Sequence, residues 1–256
     1  MMRRITKKGW AMIAVAALVA APVATFGADE ITLPHQNWSF SGPFGTFDRA
    51  AAQRGWQVYN QVCANCHSLQ QAYYRDLEGI GFSPDQVKAI AATKQVPTLD
   101  DSGQPTTRPG LPSDHFVSPF PNDEAAKAAM NGVVPPDQSV LVNARAGGPD
   151  YLYALLNGYV DPPKGVTVPE GTYYNEYFPG HFIKMPPPLS ADLVQYTDGT
   201  KPTVQQEAHD VVTFLTYIAN PEMEQRKRMG VKVILFLIML TGLVYAMKRQ
   251  IWANVH

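Results

Sequence analysis

Cys63-Ala64-Asn65-Cys66-His67 is the stretch on which the reading of this chain turns. In a C-x-x-C-H run, two thiols three residues apart bond covalently to the vinyl groups of a haem while the adjacent imidazole reaches its iron. The 256-residue chain has only these two cysteines, so both are committed and no disulfide is left for the fold. A structural zinc site would need about four ligands, and the sequence has no second C-x-x-C or closely spaced histidine pair. A thioredoxin-like redox pair would sit in a βαβ context and has no use for the histidine that follows. The motif therefore implies one covalently attached haem c, bonded to Cys63 and Cys66, with His67 as an axial iron ligand.

The N-terminus carries Arg3, Arg4, Lys7 and Lys8, then an apolar stretch from Ala11 to Ala21, then Pro22 and small residues up to Ala28. This reads as a secretory signal peptide over residues 1–27; the stretch is short, alanine-rich and broken by proline, which argues against a retained membrane helix. Export agrees with the haem motif, because bacterial haem attachment is carried out on the outer side of the cytoplasmic membrane. A second apolar segment, 229–247, is roughly 28 Å long as a helix, close to the hydrocarbon thickness of a bilayer. Arg226, Lys227 and Arg228 precede it and Lys248 and Arg249 follow it, so charge counting does not orient the span. The signal peptide does: residues 28–225 form a periplasmic head, 229–247 a single membrane anchor and 248–256 a short cytoplasmic tail.

Within residues 28–225 stand 11 Lys and Arg against 22 Asp and Glu, a formal charge of −11 that the near-neutral total of −1 conceals. An acidic head steers a basic soluble partner, or is simply well solvated. No nucleic-acid partner is expected. Asp48 is placed to cap a helix running towards Val62, with the haem motif at its C-terminal end. Residues 94–136 are rich in Pro, Gly and Asp, interrupted by a short helix around Asp123 to Met130, and are expected to be an irregular docking surface. A helix is expected over Pro149 to Gly158, burying Tyr151, Leu152, Leu155 and Leu156. Thr203-Val204-Gln205-Gln206 reads as a capping box opening a helix that Asn220-Pro221 ends.

The sixth iron position separates electron transfer from open-site chemistry. Met185 lies in Lys184-Met185-Pro186-Pro187-Pro188, where three prolines forbid helix and favour a stiff, extended strap that pre-positions a thioether. Met130 in a helix and Met223 near the bilayer read as packing residues. His181 is the chief rival, and His/His ligation would lower the potential where methionine raises it. His35, His115 and His209 read as surface or capping residues.

Beyond these motifs the chain closely resembles the cytochrome c1 family, the membrane-anchored haem subunits of cytochrome bc1 complexes. The segments that carry the likeness are Gly55-Trp56-Gln57-Val58-Tyr59, Asn131-Gly132, Pro135-Pro136-Asp137, Ala144 to Tyr151, Tyr177-Phe178-Pro179-Gly180, the Met185 strap, Arg226 to Gly230 and Met247-Lys248-Arg249. The resemblance implies a mainly α, class I cytochrome c-like haem domain with long irregular insertions plus one C-terminal transmembrane helix. It implies His67 and Met185 as axial ligands and Arg145 beside a haem propionate, with Gly147-Gly148 allowing close backbone approach. It further implies a non-enzymatic electron carrier in a dimeric complex with cytochrome b and a Rieske iron–sulfur protein, passing electrons to a soluble or tethered c-type cytochrome. Lys184 departs from the small residue common before the ligand methionine. Some bacterial members add a cysteine pair to the head; this chain has none, so the support of the Met185 strap is not legible in the sequence. An anchored cytochrome subunit of a terminal oxidase or nitric oxide reductase, and a haem enzyme or gas sensor with an open sixth site, are the alternatives.

Overall fold

The computed structural model describes residues 31–253; the expected signal peptide lies outside them. Helix α1, Arg49–Gln61, starts where Asp48 accepts a hydrogen bond from the Ala51 N–H at 3.0 Å, a cap worth about 1 kcal/mol. Its apolar side buries Ala51, Ala52, Trp56, Val58 and Tyr59. That side packs on α6, Val204–Ala219, whose Ala208, Val211, Val212, Leu215 and Ile218 are all buried. The two helices touch at Gly55, where a Cβ would stand 2.0 Å from the Asp210 carbonyl oxygen. Only glycine permits that approach.

Aromatic rings fill the space beside the crossing. Phe214 on α6 lies 5.7 Å from both Trp56 and Tyr59, and Phe116 lies 5.4 Å from Trp56 and 4.5 Å from Tyr74. Complete burial of Phe214 stabilises the fold by about 2–3 kcal/mol. Between these helices the chain forms a 3-10 stretch, Tyr74–Ile80, and helix α2, Pro84–Ala92. A capping box at Ser83 and Gln86, with proline at the first helical position, starts α2, a start signal that lies wholly within the local sequence.

The 94–136 segment is less irregular than its composition suggests. It contains an antiparallel hairpin of β1, Gln95–Leu99, and β2, Pro105–Pro109, in the register Gln95↔Pro109 to Leu99↔Pro105. Asp100 folds the connection by accepting from the Ser102 and Gln104 N–H groups, an Asx turn that needs no apolar alternation to announce it. Helix α3, Asp123–Ala129, follows with Asn122 as its cap. After a short turn α4, Leu141–Ala144, helix α5 runs Gly148–Asn157 and buries Tyr151, Leu152 and Ala154, while Leu155 and Leu156 sit at the margin of the core and are only half-buried. Strands β3, Tyr173–Tyr174, and β4, Phe182–Ile183, pair antiparallel just before the Met185 strap.

The box expected at α6 is half formed. Thr203 accepts from the Gln206 N–H, but the Gln206 amide donates to Asp210 at 3.0 Å instead of turning back. The Thr203 N–H that a full box would offer to the Gln206 amide oxygen donates instead to the Lys201 carbonyl at 3.0 Å. After Asn220 ends α6, helix α7 runs Met223–Trp252, beginning before and ending after the 229–247 stretch. Its first two turns are tied to the head: Glu224 accepts from the Phe47 N–H and from Arg49, and Lys227 donates to the Phe40 and Gly45 carbonyls. No α7 residue is buried, and from Met229 onward the helix presents apolar side chains all round, which suits a lipid environment.

Candidate haem-binding site

Helix α1 ends at Gln61, and the chain tightens into a 3-10 turn, Cys63–Asn65. The Cys63 carbonyl accepts from the N–H groups of both Cys66, at 3.0 Å, and His67, at 2.8 Å. That turn brings residues 63, 66 and 67 to one side of the backbone, spaced as neighbours on a helix surface. Both thiols are free and half-buried. Burial pushes the Cys63 thiol up to about 12, so it stays a neutral thiol in this apolar setting. The Asn65 amide donates to the Gln61 carbonyl at 3.0 Å and closes the helix end.

His67 is buried and held from two directions. The Tyr59 hydroxyl donates to its backbone carbonyl at 3.0 Å, and its ring Nδ1 lies 2.8 Å from the Pro136 carbonyl oxygen. A carbonyl can only accept, so Nδ1 carries the hydrogen and Nε2 keeps its lone pair. Burial depresses the imidazole's basicity, which keeps the ring in the neutral form a metal ligand requires. Asp137 fixes Pro136 in turn: its carboxylate accepts from Ser68 Oγ at 2.7 Å, from the Gln70 N–H at 2.7 Å and from the Ser139 N–H at 2.9 Å. Burial alone would raise the Asp137 carboxyl, but these donors outweigh it and hold it below its ordinary value. Pro135-Pro136-Asp137 stood in the sequence reading only as a matching segment; its contact with His67 spans 69 positions and has no local signal.

The remaining candidates enter from other elements. Met185 follows β4, half-buried, and the Tyr159 hydroxyl donates to its carbonyl at 3.1 Å. Its rival His181 has a left-handed backbone, φ 62°, and donates from Nδ1 to the Asn175 carbonyl at 3.1 Å. Asn175, fully buried, organises this corner by donating to the Leu155 carbonyl and accepting from the Tyr177 and Phe178 N–H groups. Arg145 is exposed between α4 and α5, and its guanidinium touches only the Ala144 carbonyl. Gly147, two residues on, is left-handed, φ 82°, and a Cβ there would strike the Leu33 side chain. Neither Met185 nor Arg145 hydrogen-bonds to the Cys63–His67 turn among the described residues.

Among known proteins, the sequence matches the cytochrome C1 family over residues 38–255. The chain belongs to that family. It is 48% identical over 242 residues to a cytochrome c1 of Rhodospirillum rubrum, covering 88% of this chain and 89% of the relative. A mitochondrial cytochrome c1 heme protein of Saccharomyces cerevisiae is 44% identical over 93% of this chain and 77% of its own length. A cytochrome b/c1 of Bradyrhizobium diazoefficiens is 44% identical over 98% of this chain, which spans 41% of that longer relative.

Family members carry one covalently bound haem c, and the residues present here fit that group. Two unpaired thiols and an imidazole of fixed tautomer, its Nε2 uncommitted, form the donor set that covalent attachment and axial ligation demand. Among the described residues no group of three or more His, Cys, Asp and Glu offers a competing metal site.

Proposed function

We propose that this chain is the electron-transfer subunit of a cytochrome bc1 complex, accepting electrons from a Rieske iron–sulfur protein and delivering them to a soluble or membrane-tethered c-type cytochrome. The observation that carries this reading is the His67 imidazole held by Pro136 through Nδ1 at the end of α1, one residue after two free thiols. When bound, the haem supplies one-electron iron chemistry. Cys63 and Cys66 would retain it through thioethers, and His67 and Met185 would hold its iron. Arg145, exposed and without a carboxylate partner among the described residues, would be the cation for a propionate. Tyr59, Pro136 and Asp137 keep the imidazole neutral and oriented, so little rearranges when charge changes.

A partner cytochrome b is supported by the Bradyrhizobium relative, whose name joins b and c1 in one chain of which this sequence matches 41%. The single described helix that is long and apolar enough to cross a membrane, Met223–Trp252, supports a one-span anchor. With residues 1–27 as an export signal, the head would face the periplasm and residues 248–256 the cytoplasm. Solubilising the complex from its own membrane in mild detergent tests the assignment. The expected subunit list contains cytochrome b, a Rieske protein and this chain with one covalent haem, in a dimeric assembly. Co-isolation with haem–copper or non-haem-iron oxidase subunits, or a mature chain without tetrapyrrole mass on a denaturing gel, would overturn it.

A further inference from the structure

We infer that Arg54, Gln57 and Glu207 are positioning residues for the Met185 thioether: they pin the segment that follows the triple-proline strap to helix α1, the same helix that ends in the Cys63–His67 turn. The inference rests on the reading of Met185 as an axial ligand. The chain leaves Met185 through Pro186, Pro187 and Pro188, a run that transmits displacement because each φ is fixed. It then enters the head at Leu189 and Val194, both buried, the latter completely.

Besides the Asp192 N–H bond to the Pro202 carbonyl at 2.9 Å, the return segment is held from α1 and α6. The Val194 N–H donates to Glu207 Oε1 at 3.1 Å, and Gln57 on α1 donates to the Gln195 carbonyl at 2.8 Å. Arg54, one turn before Gln57, donates Nη1 to Asp198 at 2.8 Å, and its guanidinium lies over the Tyr196 ring. The other edge of the same guanidinium grips Asp210 on α6 with two bonds of 2.8 and 3.0 Å. One side chain thus joins α1, α6 and the return segment. Gln57 lies six residues before Cys63, about 9 Å along the helix axis, so the two sides of the haem site take their position from one rigid element. On its other flank the strap is held by Tyr159 and the β3–β4 pair.

Glu207 marks the clamp as costly to keep. It is fully buried, Oε2 has no partner among the described residues, and the Tyr196 hydroxyl is likewise buried without one. A leucine would pack there without that desolvation cost, so the carboxyl is retained for the Val194 bond it makes. Burial above all, with Asp192 and Asp210 nearby, pushes Glu207 upward towards its neutral form, which makes glutamine its closest mimic.

The test uses the full-length, haem-loaded chain in detergent and compares Glu207→Leu, Glu207→Gln, Gln57→Ala and Met185→Leu. The readouts are the thioether-to-ferric-iron charge-transfer band, the midpoint potential and carbon monoxide binding by the reduced protein. Glu207→Leu is expected to lose the band, lower the potential and admit carbon monoxide; Glu207→Gln retains the parental values and Gln57→Ala shows a partial loss. If Glu207→Leu yields no haem-loaded protein, Gln57→Ala decides, since Gln57 lies at the surface side of α1. Parental band, potential and carbon monoxide exclusion in these variants, whatever their melting temperatures, would overturn the clamp. A parental band in Met185→Leu would instead remove the axial reading on which it stands.

Discussion

Replacing Gly55 by alanine tests whether the α1–α6 crossing sets the architecture of the head. A Cβ at this position would stand 2.0 Å from the Asp210 carbonyl oxygen, 2.5 Å from its carbon and 2.8 Å from Phe214 Cβ. The nearest contact is about 1.4 Å short of ordinary van der Waals distance, and two of the three atoms are backbone, so no rotamer relieves it. The helices must part, and the rings of Trp56, Tyr59 and Phe214 lose contact with each other. Overpacking of this kind costs about 3 kcal/mol, while alanine's better helix propensity returns about 1 kcal/mol. The net loss of about 2 kcal/mol lowers the melting temperature of the haem-loaded protein by about 4–8 °C for a head of this size. Thermal melts followed by far-ultraviolet circular dichroism in detergent measure it. If Gly55→Ala melts at or above the parental temperature, propensity has outweighed the clash and the crossing is not as close as described.

Three further outcomes follow from the same contacts. Asp137→Ala removes the acceptor of three hydrogen bonds beside Pro136 and is expected to cost about 2–3 kcal/mol in chemical denaturation of the loaded protein. Gln206→Glu would complete a capping box if that motif were in force; because the Gln206 side chain lies on buried Asp210, the substitution should instead destabilise by about 1 kcal/mol, and a gain in stability would contradict the observed geometry. Asp114, held down to about 2 by its bonds with Arg108, caps the Leu111 N–H. A depressed carboxyl stabilises above its unfolded value near 4 and ceases to do so as pH falls through about 2, so protection of the Leu111 amide in hydrogen exchange should persist at pH 5 and fade across that window.

Local chemistry wrote much of this protein plainly. The C-x-x-C-H turn, the Asp48 cap, the stop of α6 at Asn220-Pro221 and the long apolar helix near the C-terminus each depend on residues within one or two turns of each other, and such spacing is visible in a linear chain. The hairpin in 94–136 is not legible because an Asx turn and proline-containing strands lack apolar alternation, and α2 is a nine-residue helix that buries only Val87 and Ala91, too few to form an apolar stripe. The tertiary structure alone decided that the Gln206 amide donates to Asp210, that the Pro136 carbonyl sets the His67 tautomer, and that Arg54 ties α1 to both Asp210 and Asp198. These partners lie from 4 to 156 positions apart, and the Arg54 grip on Asp210 forms across the α1–α6 crossing that Gly55 permits. Sequence fixes the chemical kind of a contact when its partners are neighbours in the chain; across a fold, the competing acceptors are known only after packing has brought them within reach.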